Sequence, residues 1–184
     1  MNKATRNLEG DHLYILKLIG VMQEMVKETE PNVQHLYEVV TLIRQFADGL
    51  HHAKEETLLF PLMAEKGFSM QQGPIAVMLM DHEKGREFVR NMDESIHLYK
   101  NGESSALNRI YANMLGYADL LNNHISKENN VLFRMADNVL TSENQQSLLD
   151  QFLLIDAGPS TGVSGDVYVG RIEILATQYL KNEK

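Results

Sequence analysis

One phrase occurs twice in this chain and limits what it can fold into. His51-His52-Ala53-Lys54-Glu55-Glu56-Thr57-Leu58-Leu59-Phe60 is echoed by His124-Ile125-Ser126-Lys127-Glu128-Asn129-Asn130-Val131-Leu132-Phe133. Each copy holds a His, a Lys-Glu pair and an apolar triplet ending in Phe. On an α-helix a His and a Glu four residues apart lie one turn apart on the same face. Imidazole with carboxylate is a ligand set for first-row metals. Two such helices facing each other predict a two-metal site.

Helix punctuation divides the rest of the chain. The 3.6-residue apolar pattern predicts a helix over about 11–27, ended by Glu30-Pro31-Asn32. A second helix runs over about 32–65, with a kink or bend expected at Pro61. Gln71-Gln72-Gly73-Pro74 opens a third, which continues to about Lys100 and the turn at Asn101-Gly102. The fourth runs from Ser104 or Ser105 as N-cap to about Asn138. A shorter helix over about 143–154 follows, where Ser142 and Gln145 have capping-box spacing. Residues 157–165 read as a connecting loop, and a last helix covers about 166–180. No alternating strand pattern of useful length is present. The prediction is an all-α, antiparallel up-down-up-down four-helix bundle over residues 1–140. Residues 141–184 would be a C-terminal helical extension packed on the same domain.

Helical phase, at about 100° per residue, sorts the histidines. On the second helix the stripe of Leu36, Val39, Val40, Ile43, Phe46, Ala47 and Leu50 takes His51 toward the interior and puts His52 nearly opposite. The internal echo agrees, because it pairs His51 with His124. His51 and Glu55 are therefore expected inside, and His52 and Glu56 in solvent. His124 and Glu128 fall within the stripe of the fourth helix, His82 within that of the third and His12 within that of the first. His35 and His97 are peripheral. Tyr14, Tyr111 and Tyr117 reach the interior by phase, as core packing or as hydrogen-bond donors behind the site. Six inward polar groups without partners would be costly in a core. A metal centre relieves that cost; a hydrogen-bonded network without metal is the alternative. By their chemistry the ligands also suit manganese, zinc or a mixed centre.

Composition removes several other functions. With no cysteine, disulfides, thiolate metal sites and Cys nucleophiles are excluded. A formal net charge of −8 argues against a nucleic-acid partner. No apolar run is long enough to span a bilayer, and the N-terminal residues do not resemble a signal peptide. The expectation is a cytoplasmic protein with no membrane partner.

The residues quoted so far resemble the hemerythrin-like, or HHE cation-binding, domains over about 8–138. The matching motifs are Gly10-Asp11-His12, His51-x-x-x-Glu55 with Leu58-Leu59-Phe60-Pro61, Asp81-His82-Glu83-Lys84-Gly85-Arg86, and His124-x-x-x-Glu128 with Val131-Leu132-Phe133. The resemblance implies a four-helix bundle holding a non-haem di-iron centre with an oxo or hydroxo bridge. His12, His51, His82 and His124 would be terminal ligands, and Glu55 and Glu128 carboxylate bridges. Oxygen-carrying members supply five His, two of them four residues apart on the third helix. Here Met78 and Arg86 stand at that spacing from His82. The resemblance therefore implies binding of, or reaction with, dioxygen, peroxide or nitric oxide rather than simple oxygen carriage. An iron- or oxygen-responsive sensing module is an alternative. Iron–sulfur cluster repair is another, ranked lower because relatives with that role often carry a Cys-containing N-terminal segment not seen in this sequence.

Overall fold

The structure, a computed structural model, describes residues 3–158, 160 and 162–180. Two residues of the expected 157–165 loop, Pro159 and Thr161, lie outside the described residues, as do Met1 and Asn2. The described residues are all-α, without a strand. The elements are α1 (Ala4–Met25), α2 (Val33–Leu42), α3 (Phe60–Glu65), α4 (Gly73–Lys100), α5 (Ala106–Lys127), α6 (Phe133–Val139), α7 (Ser142–Asp156) and α8 (Gly165–Tyr179). Three π-helical segments join them: Ile43–His52 and Glu55–Leu59 between α2 and α3, and Glu128–Leu132 between α5 and α6.

The second long helix is therefore α2 to α3 with two wider-wound stretches. The fourth is α5 to α6 with one. Each copy of the repeated phrase starts a five-residue π segment on its Glu and returns to α winding on its Phe. Pro61, where a kink or bend is expected, comes just after the second π segment. Pro61 falls in the first turn of α3, where a missing N–H costs least.

Asn32 caps α2, its side chain accepting from the N–H groups of Gln34 and His35. Gly102, at φ 98°, makes the left-handed turn after α4. Two boundaries differ from expectation. α1 starts at Ala4, seven residues before the predicted start near Asp11, because its buried stripe extends back through Ala4 and Leu8. The capping box of α7 is Thr141 with Asn144, not Ser142 with Gln145. Gln145 is instead buried, its Oε1 accepting from the Ala4 N–H at 2.7 Å. That long-range bond ties α7 to the start of α1.

Paired side chains run in opposite order along neighbouring helices. Asn7, His12 and Tyr14 of α1 meet Lys54, His51 and Phe46 respectively. His82 and Gly85 of α4 meet His124 and Tyr117 of α5. Two apolar cores result. One gathers Ile15, Met22, Leu36, Leu50, Val89, Met114 and Leu121, with Tyr168, Ile172 and Leu175 added from α8. The other gathers Ala4, Leu8, Leu59, Phe60, Met78, Leu132 and Phe133, with Leu148 and Phe152 added from α7. Along every long helix the inward His falls where one core gives way to the other. The polar site is thus a layer between two apolar plugs. No helix among the described residues is long and apolar enough to cross a membrane.

Candidate metal centre

The four inward histidines meet in two pairs. His12 Nε2 lies 3.1 Å from His51 Nε2, and His82 Nε2 lies 3.2 Å from His124 Nε2. Glu128 reaches His12 at 3.2 Å and His124 at 3.2 Å. Glu55 reaches His82 at 3.4 Å and His51 at 3.7 Å. Each carboxylate therefore touches both imidazole pairs. All six residues are at most 1% exposed. None of the four oxygens of Glu55 and Glu128 has a hydrogen-bond partner, because the imidazole nitrogens approach without hydrogen-bonding geometry.

The outer nitrogens explain that geometry. His12 Nδ1 donates to Asn129 Oδ1 at 2.8 Å, and His82 Nδ1 to Glu56 Oε1 at 2.6 Å. His51 Nδ1 faces Asp11 Oδ2 at 3.3 Å, and His124 Nδ1 faces Asp81 Oδ2 at 3.4 Å. With Nδ1–H directed outward, all four Nε2 atoms face the centre, and each offers it a lone pair when its ring is neutral. An outward Nδ1–H on a carboxylate or amide is the usual companion of a metal-bound imidazole.

The outer shell repeats as the sequence does. Asp11 and Asp81 each stand immediately before an inward His, and each receives both the His and the Lys of one copy of the phrase. Lys54 Nζ donates to Asp11 at 2.9 Å, and Lys127 Nζ donates to Asp81. Glu56 and Asn129 directly follow Glu55 and Glu128, and each holds the first His of the opposite half. Phe60 stacks on His82 with centroids 6.0 Å apart, and Phe133 on His12 at 5.6 Å.

Electrostatics show what the centre lacks without a cation. Burial and the neighbouring Glu128 charge push the Glu55 carboxyl well above its usual range. Glu128 is held well below its own: burial opposes this, and His124 and His12 outweigh it. Burial presses His51 and His82 down to about 3. His124 rises to about 9 against its burial, because of Glu128 and Asp81. Two buried carboxylates this close cannot both ionise unless positive charge stands between them. Metal cations supply that charge, and the donor set fits them.

His52 departs from expectation. It is 4% exposed, and its ring stacks on His82 with centroids 3.8 Å apart. Phase at 100° per residue misplaced it because Ile43–His52 is π-wound and turns less per residue, which brings His52 round to the interior. Glu56 is not free in solvent either; it bonds His82 and Arg86. Donor atoms converge in two groups: His12, His51, Glu55 and Glu128, and His52, Glu55, His82 and His124. His35 and His97 bond Tyr179 and Tyr37, away from the centre. Tyr14 packs edge-on against Phe46, Tyr111 donates to the Glu28 carbonyl, and Tyr117 lines a cavity beside His52. The Nδ1 partners were not singled out from sequence. The signal that could have found them is the Asp-His pair, which occurs twice, together with the Lys-Glu pair that both copies of the phrase contain.

A family model described as Hemerythrin HHE cation binding domain matches residues 3–136. Among curated relatives, an iron-sulfur cluster repair protein DnrN of Neisseria gonorrhoeae is 33% identical over 103 residues, 52% of this chain and 64% of that protein. An iron-sulfur cluster repair protein YtfE of Salmonella typhimurium is 33% identical over 119 residues, 61% of this chain and 52% of that protein. The chain thus spans between half and two thirds of the length of these relatives. No solved structure matches.

Proposed function

This chain belongs to the hemerythrin HHE cation-binding domain family, and we propose that it is a non-haem di-iron protein that binds or reacts with dioxygen, peroxide or nitric oxide. One observation carries the reading: two fully buried carboxylates, unpartnered at every oxygen, set between four imidazoles whose lone pairs point at them. His12 and His51 would hold one iron, and His82 and His124 the other. Glu55 and Glu128 would be shared between the two. Residues 1–140 would form the metal-holding bundle and 141–184 its helical extension.

When bound, the irons supply Lewis-acid and redox chemistry. The chain does the rest. Asp11, Asp81, Glu56 and Asn129 fix the imidazole tautomers. Phe60 and Phe133, with the two apolar cores, keep bulk water from the layer. Glu55 and Glu128 offset cationic charge. Neither residue at four-residue spacing from His82 adds a donor: Met78 is part of the apolar core, and Arg86 is engaged by Asp48 and Glu56. A set of four His and two Glu leaves coordination positions for an exogenous ligand.

A second reading is favoured by the names of the relatives. In iron–sulfur cluster repair the centre would act on damaged clusters of a client protein. This sequence has no cysteine. Thiolates for a cluster would therefore come from the client.

Metal analysis tests the first reading. The purified protein is expected to hold two irons per chain, and His51→Ala and His124→Ala to hold one or fewer. Nitric oxide or peroxide should change the optical spectrum of the reduced, loaded protein. Full metal retention in both variants refutes the ligand assignment. The repair reading expects loaded protein, but not its His124→Ala variant, to restore an oxidatively inactivated iron–sulfur enzyme.

A further inference from the structure

His52 is one of the residues that break the equivalence of the two halves. His52 follows His51, whereas Ile125 follows His124, and both are buried. His52 is oriented like the other inward imidazoles, its Nδ1 facing Asp48 Oδ1 at 3.2 Å. Asp48 is fixed in turn by the Arg86 guanidinium at 2.9 and 2.7 Å. An ionised carboxylate can only accept, so Nδ1 carries the hydrogen and Nε2 presents a lone pair. That Nε2 is buried and without a hydrogen-bond partner.

The attitude of the ring separates His52 from the ligands. It lies parallel to His82, with planes 14° apart and centroids 3.8 Å apart. Two stacked rings cannot both aim in-plane lone pairs at one cation about 2 Å away. His82, paired with His124, is the ring placed to donate. His52 stands one ring-thickness aside, facing the same position. Beside it is a cavity of about 300 Å³ whose lining includes His52, His82, Asp48, Gly85, Arg86 and Tyr117. Because His52 and His82 both line this cavity, a small molecule that enters it comes beside both rings.

We propose that His52 is a ligand-positioning residue whose Nε2 accepts a hydrogen bond from a small molecule entering through this cavity. The site thereby favours ligands that bring an O–H or N–H, hydrogen peroxide above all, over bare diatomics. Nitric oxide and dioxygen have no hydrogen to give, so His52 adds nothing to holding them. This inference rests on the di-metal reading above and names the ligand class for that site.

The test uses the iron-loaded chain as wild type, His52→Leu and His52→Gln. It reads iron content, nitric oxide affinity by optical titration, and the rate of the spectral response to hydrogen peroxide. All three proteins are expected to hold the same iron and bind nitric oxide within about twofold, while His52→Leu slows the peroxide response at least about fivefold, the worth of one hydrogen bond. His52→Gln, which keeps an acceptor oxygen, recovers part of the loss. In the metal-free protein, imidazole nitrogen NMR should show His52 protonated at Nδ1. An Nε2–H tautomer, an unchanged peroxide response, or an equal loss for both ligands overturns the proposal. Loss of iron in His52→Leu overturns it too, by making His52 a ligand. A wild type that takes up no iron defeats the di-metal reading itself, whereas normal behaviour of His52→Leu defeats only this inference.

Discussion

Lys54 and Lys127 hold the same place in the repeat and face different surroundings, which makes them a matched pair of perturbations. Lys54 is fully buried. Its Nζ donates to Asp11 at 2.9 Å, to Asn7 at 3.1 Å and to Asp156 of α7 at 2.7 Å. Lys127 is 42% exposed at its side chain and pairs with Asp81 alone. Replacing either by Met keeps the stem and removes the charge. Breaking a buried ion pair costs about 3–5 kcal/mol, because the partner charge is left uncompensated. The Lys54 partners are not wholly sealed: Asp11 is 16% and Asp156 31% exposed. Water therefore recovers part of the loss, and Lys54→Met should cost about 3 kcal/mol, the low end of that range. An exposed pair is worth about 0–1 kcal/mol, which is the expectation for Lys127→Met. Urea unfolding in the presence of chelator, followed by circular dichroism, reads both values without a contribution from metal. In a thermal melt of the same metal-free proteins, the difference corresponds to a Tm shift of roughly 4–12 °C, at about 2–4 °C per kcal/mol. Equal effects of the two substitutions would refute the argument, since it rests entirely on the difference in burial.

Two further outcomes follow from polar groups away from the ligands and from the histidine pKa values. Gln145→Leu removes the acceptor for the buried Ala4 N–H and should cost about 1–3 kcal/mol in urea unfolding; a loss within about 0.5 kcal/mol, the usual range for a surface change, would deny that α7 caps α1. The metal-free protein should lose stability as pH falls from 6.5 toward 3. His51 and His82 are depressed to about 3, so the unfolded chain binds their protons first and acid favours unfolding. Asp11, Asp48, Asp81 and Glu128 act in the same direction at the acid end, since all four are held low in the fold despite their burial. Glu55, held high in the fold, takes up its proton before the unfolded chain does and offsets part of the effect of the two histidines. Denaturant midpoints that stay flat between pH 6.5 and 4 would contradict those assignments.

The long helices, the four convergent histidines and the Glu pair could be read from sequence because they obey local rules: apolar period, caps and i,i+4 spacing. What escaped was non-local or wound differently. His52 failed because a phase count assumes uniform winding, and the π segment Ile43–His52 breaks that assumption. The early start of α1 follows the buried stripe back through Ala4 and Leu8, and the partner of its first N–H, Gln145, lies far along the chain. The burial of Lys54 comes from Asp156, Asn7 and Asp11, which close around it from other helices. Asp11, Asp81, Glu56 and Asn129 are fixed by contacts between helices, which spacing within one helix does not reveal. Their positions nevertheless recur, each one residue from an inward His or Glu.

That recurrence gives meaning to the places where the halves differ. If the site only needed to hold two cations, equivalent surroundings would suffice, and most of the outer shell is equivalent. Three positions are not. Glu56 faces His82 where neutral Asn129 faces His12. Lys54 is buried behind His51 where Lys127 is open behind His124. His52 lines a cavity where the opposite copy has Ile125. Two of these differences bear directly on the His82–His124 side: an ionic outer partner for its imidazole and an extra lone pair next to a cavity. The third places a fully buried cation behind the other side, tied to the C-terminal helices. The asymmetry is consistent in sense, with one side braced by a buried lysine and the other more polar, with an additional imidazole beside a cavity. Binding of a small exogenous ligand is therefore expected at the His82–His124 side, and substitutions there should alter ligand response more than those around His12 and His51.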